Sequence, residues 1–491
     1  MTALYIERYL NWGLTREELQ SGRPLIGIAQ TGSDLSPCNR IHVELASRVR
    51  DGIRDAGGVP FEFPCHPIQE TGRRPTAALD RNLSYLSLVE VLHGYPLDGV
   101  VLTTGCDKTT PALLMAAATA DLPAIVLSGG PMLDGWRLLS SGEIGYSEFM
   151  DRVCASAPSP GQCSRTGTAS EERAGLSCAA VPAPYRERAQ YAYRTGQRAV
   201  GLVHEDLRPS AILTRPAFLN AIRASETSPE AIARHAQAEL HDLPLLVNVI
   251  PSGQFLCESF YRAGGVPAAP LTVTGRSVAE NDVIRTAAAP LRARAGFRAR
   301  VGNLFDSALL KTREGVLEAR AIVFEGPEDY HGRINDPELA DCILFIRYVG
   351  PVGYPGSAEV VNMQPPDALI SRGVDHLPYH VLESTSESPS ILNASPEAAV
   401  GGALAILRTG DTVRLDVAAG SLDVVRCADG GEITPAVLEA RWAEHVPPPL
   451  PSQTPWQEIY RATVGQLETG GCLELATRYK RVAEQLARDN H

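Results

Sequence analysis

Cys106, Asp107 and Lys108 stand consecutively in this chain and put a soft ligand, a hard ligand and an amine on one short loop. Two loops nearer the N-terminus add Cys38 and Glu70. Thiolates suit iron–sulfur clusters and carboxylates suit magnesium, because soft donors match polarisable iron and hard oxygens match a hard cation. A site holding both could bind a substrate carboxylate and activate a hydroxyl, the work of a metal-assisted lyase or hydrolase. The residue types alone do not choose between the two. Taken singly, each of these residues reads better as part of a solvated turn, since reactive thiols are a minority of cysteines. Their weight comes from where they fall among the secondary-structure elements.

Segments 24–32, 59–65, 98–105 and 123–130 are apolar runs without polar alternation, the pattern of strands buried on both faces. Helical patterns separate them. Ile41, Leu45, Val49 and Ile53 recur at four-residue spacing before Gly57-Gly58, while Leu79, Leu83, Leu86 and Val89 share one face of 77–95; 110–120 is the third helix. Strands alternating with helices predict a parallel sheet covered on both sides, and ligands bind such sheets beyond the carboxyl ends of the strands. That rule selects loops 33–40, 66–75, 106–111 and 129–135. Cys38, Glu70 and Cys106–Lys108 therefore end three successive strands and should meet in space. Gly129-Gly130 reads as permitting a tight turn rather than holding an anion. His66 and His93 read as structural, and Cys65 as a buried strand end.

Residues 150–270 are expected to be mainly helical, with one more buried strand at 244–253. Beyond 270, short strands at 271–275, 319–326, 342–350 and 411–425 are separated by Gly and Pro turns. The expected class is α/β: an N-terminal doubly wound parallel sheet domain (1–268), then a C-terminal β-rich, barrel-like α/β domain (269–446). A linker and C-terminal helical tail (447–491) complete the chain. In the tail, Thr454, Pro455 and Gln457 spell an N-cap, a first-turn proline and a capping box.

Composition narrows the partners. With 44% hydrophobic and 21% charged residues among 491, the chain is ordinary for a soluble globular protein. A net charge of −12 argues against nucleic acid or an anionic membrane as partner. The first nineteen residues mix charges into every turn and lack the apolar core of a signal peptide, and no run of 18 apolar residues occurs, so a cytoplasmic location is expected. Ten cysteines without a C-x-x-C pair do not suggest a disulfide framework.

The stretches VLTTGCDKTTPALLMAA (101–117), AIVLSGGPMLDG (124–135), PGSAEVVNM (355–363) and ILNASPEAAVGG (391–402) resemble the dihydroxy-acid and sugar-acid dehydratase family. GIAQTGSDLSPCNR (27–40), RRPTAALDRNLSYL (73–86), PAPYRER (182–188) and TPWQEIYRA (454–462) bring the chain nearest the family's sugar-acid members. The resemblance implies that Cys38, Cys106 and Cys163 hold a [2Fe–2S] cluster with one iron left open for substrate. It further implies that Glu70, Asp107, Glu359 and a carbamylated Lys108 hold Mg²⁺, and that Ser395 is the catalytic base. The implied chemistry is an elimination from an aldonate such as D-xylonate or L-arabonate. Ser395 would take the C2 proton, the 3-hydroxyl would leave with Lewis-acid help, and the enol would become a 2-keto-3-deoxy acid. A branched-chain 2,3-dihydroxy acid is the alternative substrate. The partners expected are a small sugar acid and further copies of the chain, as a homodimer or homotetramer.

The chain is shorter than the family pattern, after Trp136, Ser170 and Ile222 and before Ser388. Those segments would line or cover the site, which keeps open a second reading, a homologue that binds metal without turnover. Ser395 also has a purely structural reading, since a Ser just before a Pro is a common helix start.

Overall fold

The computed structural model describes residues 8–36, 39–68, 77–105, 108–129, 188–205, 244–249, 254–255, 259–260, 263, 282–286, 288–293, 298–311, 316–333, 336, 339, 342–357, 380–382, 390–416 and 419–476. After a short helix α1 (Arg16–Gln20), the elements run β1 (Leu25–Gln30), α2 (His42–Asp55), β2 (Val59–Pro64), α3 (Ala77–Gly94), β3 (Gly99–Thr104), α4 (Thr109–Ala120), β4 (Ala124–Ser128) and α5 (Arg188–His204). The four strands are parallel and ordered β2-β1-β3-β4.

Two apolar clusters cover the sheet on opposite faces. Ile26, Ile28 and Val101 pack with Leu45, Val49 and Ile53 of α2 and with Ala192 and Val200 of α5. Ala29, Val100 and Leu102 pack with Leu88 and Leu92 of α3 and Leu113 and Met115 of α4. Burial on both faces explains why these strands read as unbroken apolar runs. Helices α2 and α5 cross closely because both are glycine at the contact: a Cβ on Gly52 would lie 1.9 Å from the Tyr193 carbonyl oxygen, and one on Gly196 2.2 Å from that of Val49.

Helix α3 departs from the single apolar face expected of it. Leu83 and Leu86 are half-buried, Tyr85 and Leu88 face the core, and Asp80, Asn82 and Ser84 are buried as well. The cause is a second covering layer. The C-terminal segment lays Tyr460, Cys472, Leu473 and Ala476 into the same cluster as Leu79 and Tyr85. Arg81 and Asn82 each donate to the Gly471 carbonyl at 3.0 Å, and the Trp456 indole donates to the Leu79 carbonyl at 3.1 Å. A buried Tyr or Leu contributes roughly 1.5–3 kcal/mol, so the tail is a structural part of the parallel-sheet half.

The expected strand at 244–253 is only partly present: among the described residues Leu245, Val247 and Val249 make isolated bridges, to Arg292, Ile284 and Phe255. The expected strand at 271–275 lies outside the described residues. Eight further strands form a mixed sheet: β5 (Arg298–Gly302), β6 (Phe305–Lys311), β7 (Val316–Phe324), β8 (Cys342–Ile346), β9 (His380–Leu382), β10 (Ser390–Ser395), β11 (Thr412–Asp416) and β12 (Ser421–Arg426). Their pairing order, β10-β6-β5-β12-β11-β7-β8-β9, returns to its start because β9 pairs with β10. Alternate residues Ala321, Val323, Ile343, Phe345, Val413, Leu415, Leu422 and Val424 share one cluster. The intervening Ile322, Phe324, Leu344 and Ile346 pack with Tyr330 of α6 (Pro327–Arg333). Strand β8 and the C-terminal half of β7 are thus enclosed on both faces, while β11 alternates.

Two helices close the described chain, α7 (Pro435–Glu444) and α8 (Pro455–Thr463). Thr434 and Thr454 cap them, accepting from Val437 N and Gln457 N. The Gln457 side chain accepts from the Gln453 N–H at 2.8 Å, one residue before the expected capping-box partner. In α7, Arg441 makes a bidentate bond to the fully buried Asp411, at 2.6 and 2.9 Å. Among the described residues, no helix is long and apolar enough to cross a membrane.

Candidate active site

The strand order reverses direction between β1 and β3, and the crevice of such a sheet lies beyond the carboxyl ends of those two strands. Cys38 follows β1 and Cys106 follows β3. A buried polar network locks the two strand ends together. The Thr31 N–H donates to Thr103 Oγ1 at 3.0 Å, Thr31 Oγ1 donates to the Thr103 carbonyl at 2.8 Å, and Thr103 Oγ1 donates to the Ala29 carbonyl at 2.8 Å. His42 Nε2 lies 2.8 Å from the Thr104 carbonyl, which can only accept, so Nε2 carries the proton. Thr109 Oγ1 accepts from the Gly105 N–H at 3.2 Å and donates to Asn39 Oδ1 at 3.4 Å. The residue after Cys38, the residue before Cys106 and the residue after Lys108 are therefore tied into one buried unit.

Of the residues singled out in the sequence, Cys38, Glu70, Cys106, Asp107, Cys163 and Glu359 lie outside the described residues, whereas Lys108 and Ser395 are described. Among the described residues, no group of three or more His, Cys, Asp and Glu could hold a metal ion. Two described residues that precede Cys38 in the chain nevertheless carry groups that suit a cluster. The hydroxyls of Ser33 and Ser36 are buried without a hydrogen-bond partner, and Ser36 is 0% exposed. Unsatisfied donors of this kind are what cluster sulfurs accept from. Lys108 is 9% exposed and occupies the N-cap position of α4. The N-terminal end of a helix favours a negatively charged group.

Neighbouring candidates have other roles. Burial pushes the Cys65 thiol up to about 12, so it stays protonated and is a poor ligand. His66 Nε2 lies 3.3 Å from Asp80, beside α3, in keeping with a structural histidine.

Ser395 ends β10 and is 1% exposed. The register against β6 shifts between Leu392 and Ser395, and Asn393 takes a left-handed φ of +56°. Such a bulge re-aims the side chain beyond it, and bulges of this kind gather at active sites. The structural reading of Ser395 as a helix cap is corrected. The next element is a three-residue 3-10 turn, Ala398–Val400, whose N-cap is Glu397 and which has no side-chain cap. The Ser395 hydroxyl donates instead to the Asn393 carbonyl at 3.2 Å. No long helix dipole stands behind this serine, so any stabilisation of its ionised form must come from charge in the site.

Glu397, Gln466 and Arg461 surround the Ser395 turn and were not singled out by their sequence positions. Glu397 lies within the quoted stretch ILNASPEAAVGG, but only its 0% exposure marks it as unusual.

Family comparisons decide what this arrangement belongs to. Residues 23–293 match the dihydroxy-acid/6-phosphogluconate dehydratase N-terminal model, and residues 282–471 match the corresponding C-terminal model. The chain belongs to this dehydratase family. It is 52% identical to a D-xylonate dehydratase of Caulobacter vibrioides over 576 aligned residues, covering 100% of this chain and 96% of that protein. Identity is 37% to an L-arabonate dehydratase of Azospirillum brasilense, over 95% of this chain and 90% of the relative. It falls to 29% against a dihydroxy-acid dehydratase of Methanothermobacter thermautotrophicus, over 94% and 96%.

Proposed function

We propose that this protein is an aldonate dehydratase, a hydro-lyase that takes water from a pentonate such as D-xylonate or L-arabonate and yields a 2-keto-3-deoxy acid. The observation that carries this is the 52% identity to a D-xylonate dehydratase along the whole chain, against 29% to a dihydroxy-acid dehydratase. The buried network that joins the ends of β1 and β3, the strands that Cys38 and Cys106 follow in the chain, supports it. In this reading Cys38, Cys106 and Cys163 hold a [2Fe–2S] cluster, and Glu70, Asp107, carbamylated Lys108 and Glu359 hold Mg²⁺. When bound, these groups supply Lewis acidity toward the substrate's carboxylate and hydroxyls. The chain's own residues do the rest. The Thr31, Thr103, Thr109 and Asn39 network fixes the strand ends from which the two ligand loops leave, and the ionised Ser395 oxygen accepts the C2 proton as the 3-hydroxyl leaves as hydroxide; passing that proton on to the hydroxide completes the water and restores the ionised serine.

The same reading makes the ring of eight strands a barrel-like second domain that presents Ser395, with divisions near 268 and 446. It also places the enzyme in the cytoplasm as a homodimer or homotetramer. Parallel assays with D-xylonate, L-arabonate, D-gluconate and 2,3-dihydroxyisovalerate test the substrate class. The pentonates should show the highest kcat/KM, and preferential turnover of dihydroxyisovalerate would overturn the aldonate reading.

Lys108 provides a separate expectation. Stripping bicarbonate and magnesium together should lower activity, and restoring both should recover it. Lys108→Arg keeps a cation but cannot carry the carbamate, so magnesium binding, measured by titration, should weaken by at least the 10–100-fold typical of losing even an outer-shell partner. Wild-type magnesium affinity in that variant would remove carbamylation from the account.

A further inference from the structure

Two residues beyond Ser395, the carboxylate of Glu397 is 0% exposed. Burial pushes its carboxyl up, while the Gly353 N–H, the Gln466 amide, the Val352 N–H and the Arg461 charge pull it down. The three donors are close: Val352 N–H to Oε1 at 2.9 Å, Gly353 N–H to Oε2 at 2.9 Å, and Gln466 Nε2 to Oε1 at 2.8 Å. Gln466 is bonded in both directions, since its Oε1 accepts the Glu397 backbone N–H at 2.9 Å. Arg461 holds the carbonyls of the same two residues, donating from Nε to that of Val352 at 2.9 Å and from Nη2 to that of Gly353 at 3.5 Å. The fit is tight, because a Cβ on Gly350 would stand 2.4 Å from Glu397 Oε2.

These bonds join three segments: the turn carrying Ser395, the loop 350–357, and the C-terminal turn at Gln466. The last of these continues to Gly471, which is held by Arg81 and Asn82 of α3. Strained backbone flanks the junction, with φ of +56° at Asn393 and +62° at Ser357. Residues in such conformations persist only where their surroundings over-determine them. We propose that Glu397 is the positioning residue for Ser395, and that with Gln466 and Arg461 it clamps the Ser395 turn to loop 350–357 and, through the tail, to the parallel-sheet half of the site. The inference rests on Ser395 being the base.

The test is Glu397→Gln, assayed with D-xylonate and normalised to cluster content. The amide keeps the shape but turns one acceptor into a donor facing an N–H, so the turn should shift without unfolding. An offset of about 1 Å in a reacting group costs about 100-fold. The expected result is a kcat loss of about that size, with KM within about threefold, the cluster spectrum unchanged and release of label from C2-deuterated substrate falling in parallel. Gln466→Ala, which leaves the two backbone bonds intact, should show a smaller loss with the same split. In a Ser395→Ala background, Glu397→Gln should add nothing, because both changes remove one function. A kcat within threefold of wild type would overturn the clamp while leaving the base assignment standing. So would an additive effect in the double variant, the mark of a merely structural glutamate. If Ser395→Ala alone turns over normally, the base assignment fails first and the positioning role goes with it.

Discussion

Ser395→Ala is expected to cut turnover by about 10²–10⁴-fold, the range for losing a positioned general base, while hardly changing stability. The asymmetry comes from the hydroxyl's surroundings. Its bond to the Asn393 carbonyl, at 3.2 Å and two residues away, is local and long. A neutral bond of this kind is worth about 0.5–1.5 kcal/mol net. The carbonyl left behind has the weak hold of a long bond to lose, and no helix start depends on it, since the adjoining 3-10 turn is capped without this side chain. Substrate binding and cluster absorbance should survive. The measurement is turnover and release of label from C2-deuterated D-xylonate, alongside a thermal melt. Near-normal turnover with a lowered melting temperature would make Ser395 a structural residue only.

The second large effect concerns the thiols. Serine at Cys38, Cys106 or Cys163 should bleach the visible absorbance of anaerobically purified protein and abolish activity with it. Loss of an outer-shell partner typically costs 10–100-fold in metal affinity, so loss of a direct ligand should exceed that. Cys65→Ser is the internal control. Cys65 also succeeds a strand of the parallel sheet, yet its thiol is pushed up to about 12 by burial and it packs against the core formed with α3 and α4. That variant should keep its colour. Full clusters in all three ligand variants would show that the thiolates were assigned to the wrong residues.

The parallel sheet was legible because its central strands β1 and β3 are buried on both faces and so consist of apolar runs ended by Gly or polar loops. Its helices were bounded by ordinary stop signals such as Gly57, at φ +86°. The expectation that Cys38 and Cys106 share one edge came from the rule about strand ends alone, and both lie outside the described residues. Cys163 and Glu359 had no such topological signal and came from resemblance alone. Strands β5 and β10 escaped because RARVG alternates with arginines and SILNAS ends in polar residues at a bulge. The bulge is also why Ser395 looked like a helix start: a Ser-Pro step fits the end of a bent strand as well as the beginning of a helix. Glu397 was illegible for a different reason. Its partners Val352, Gly353 and Gln466 lie 44 to 69 residues away, and burial of a carboxylate is decided by the tertiary structure.

The tail illustrates the same limit. Its capped helix was readable from Thr454, Pro455 and Gln457, but its destination was not. Tyr460 and Leu473 enter the core beside α3, while Gln466 reaches the Ser395 turn. One segment thus carries both a packing role for the parallel-sheet half and a contact beside the proposed base.

The most direct test of the central claim is to give the anaerobically purified protein, loaded with cluster and Mg²⁺, C2-deuterated D-xylonate and to analyse the product by mass spectrometry. The account predicts a product lighter by one water, a 2-keto-3-deoxy acid from which the C2 label has been released to solvent. Fully loaded protein that leaves D-xylonate and L-arabonate intact, or that forms product with the label still at C2, would contradict it.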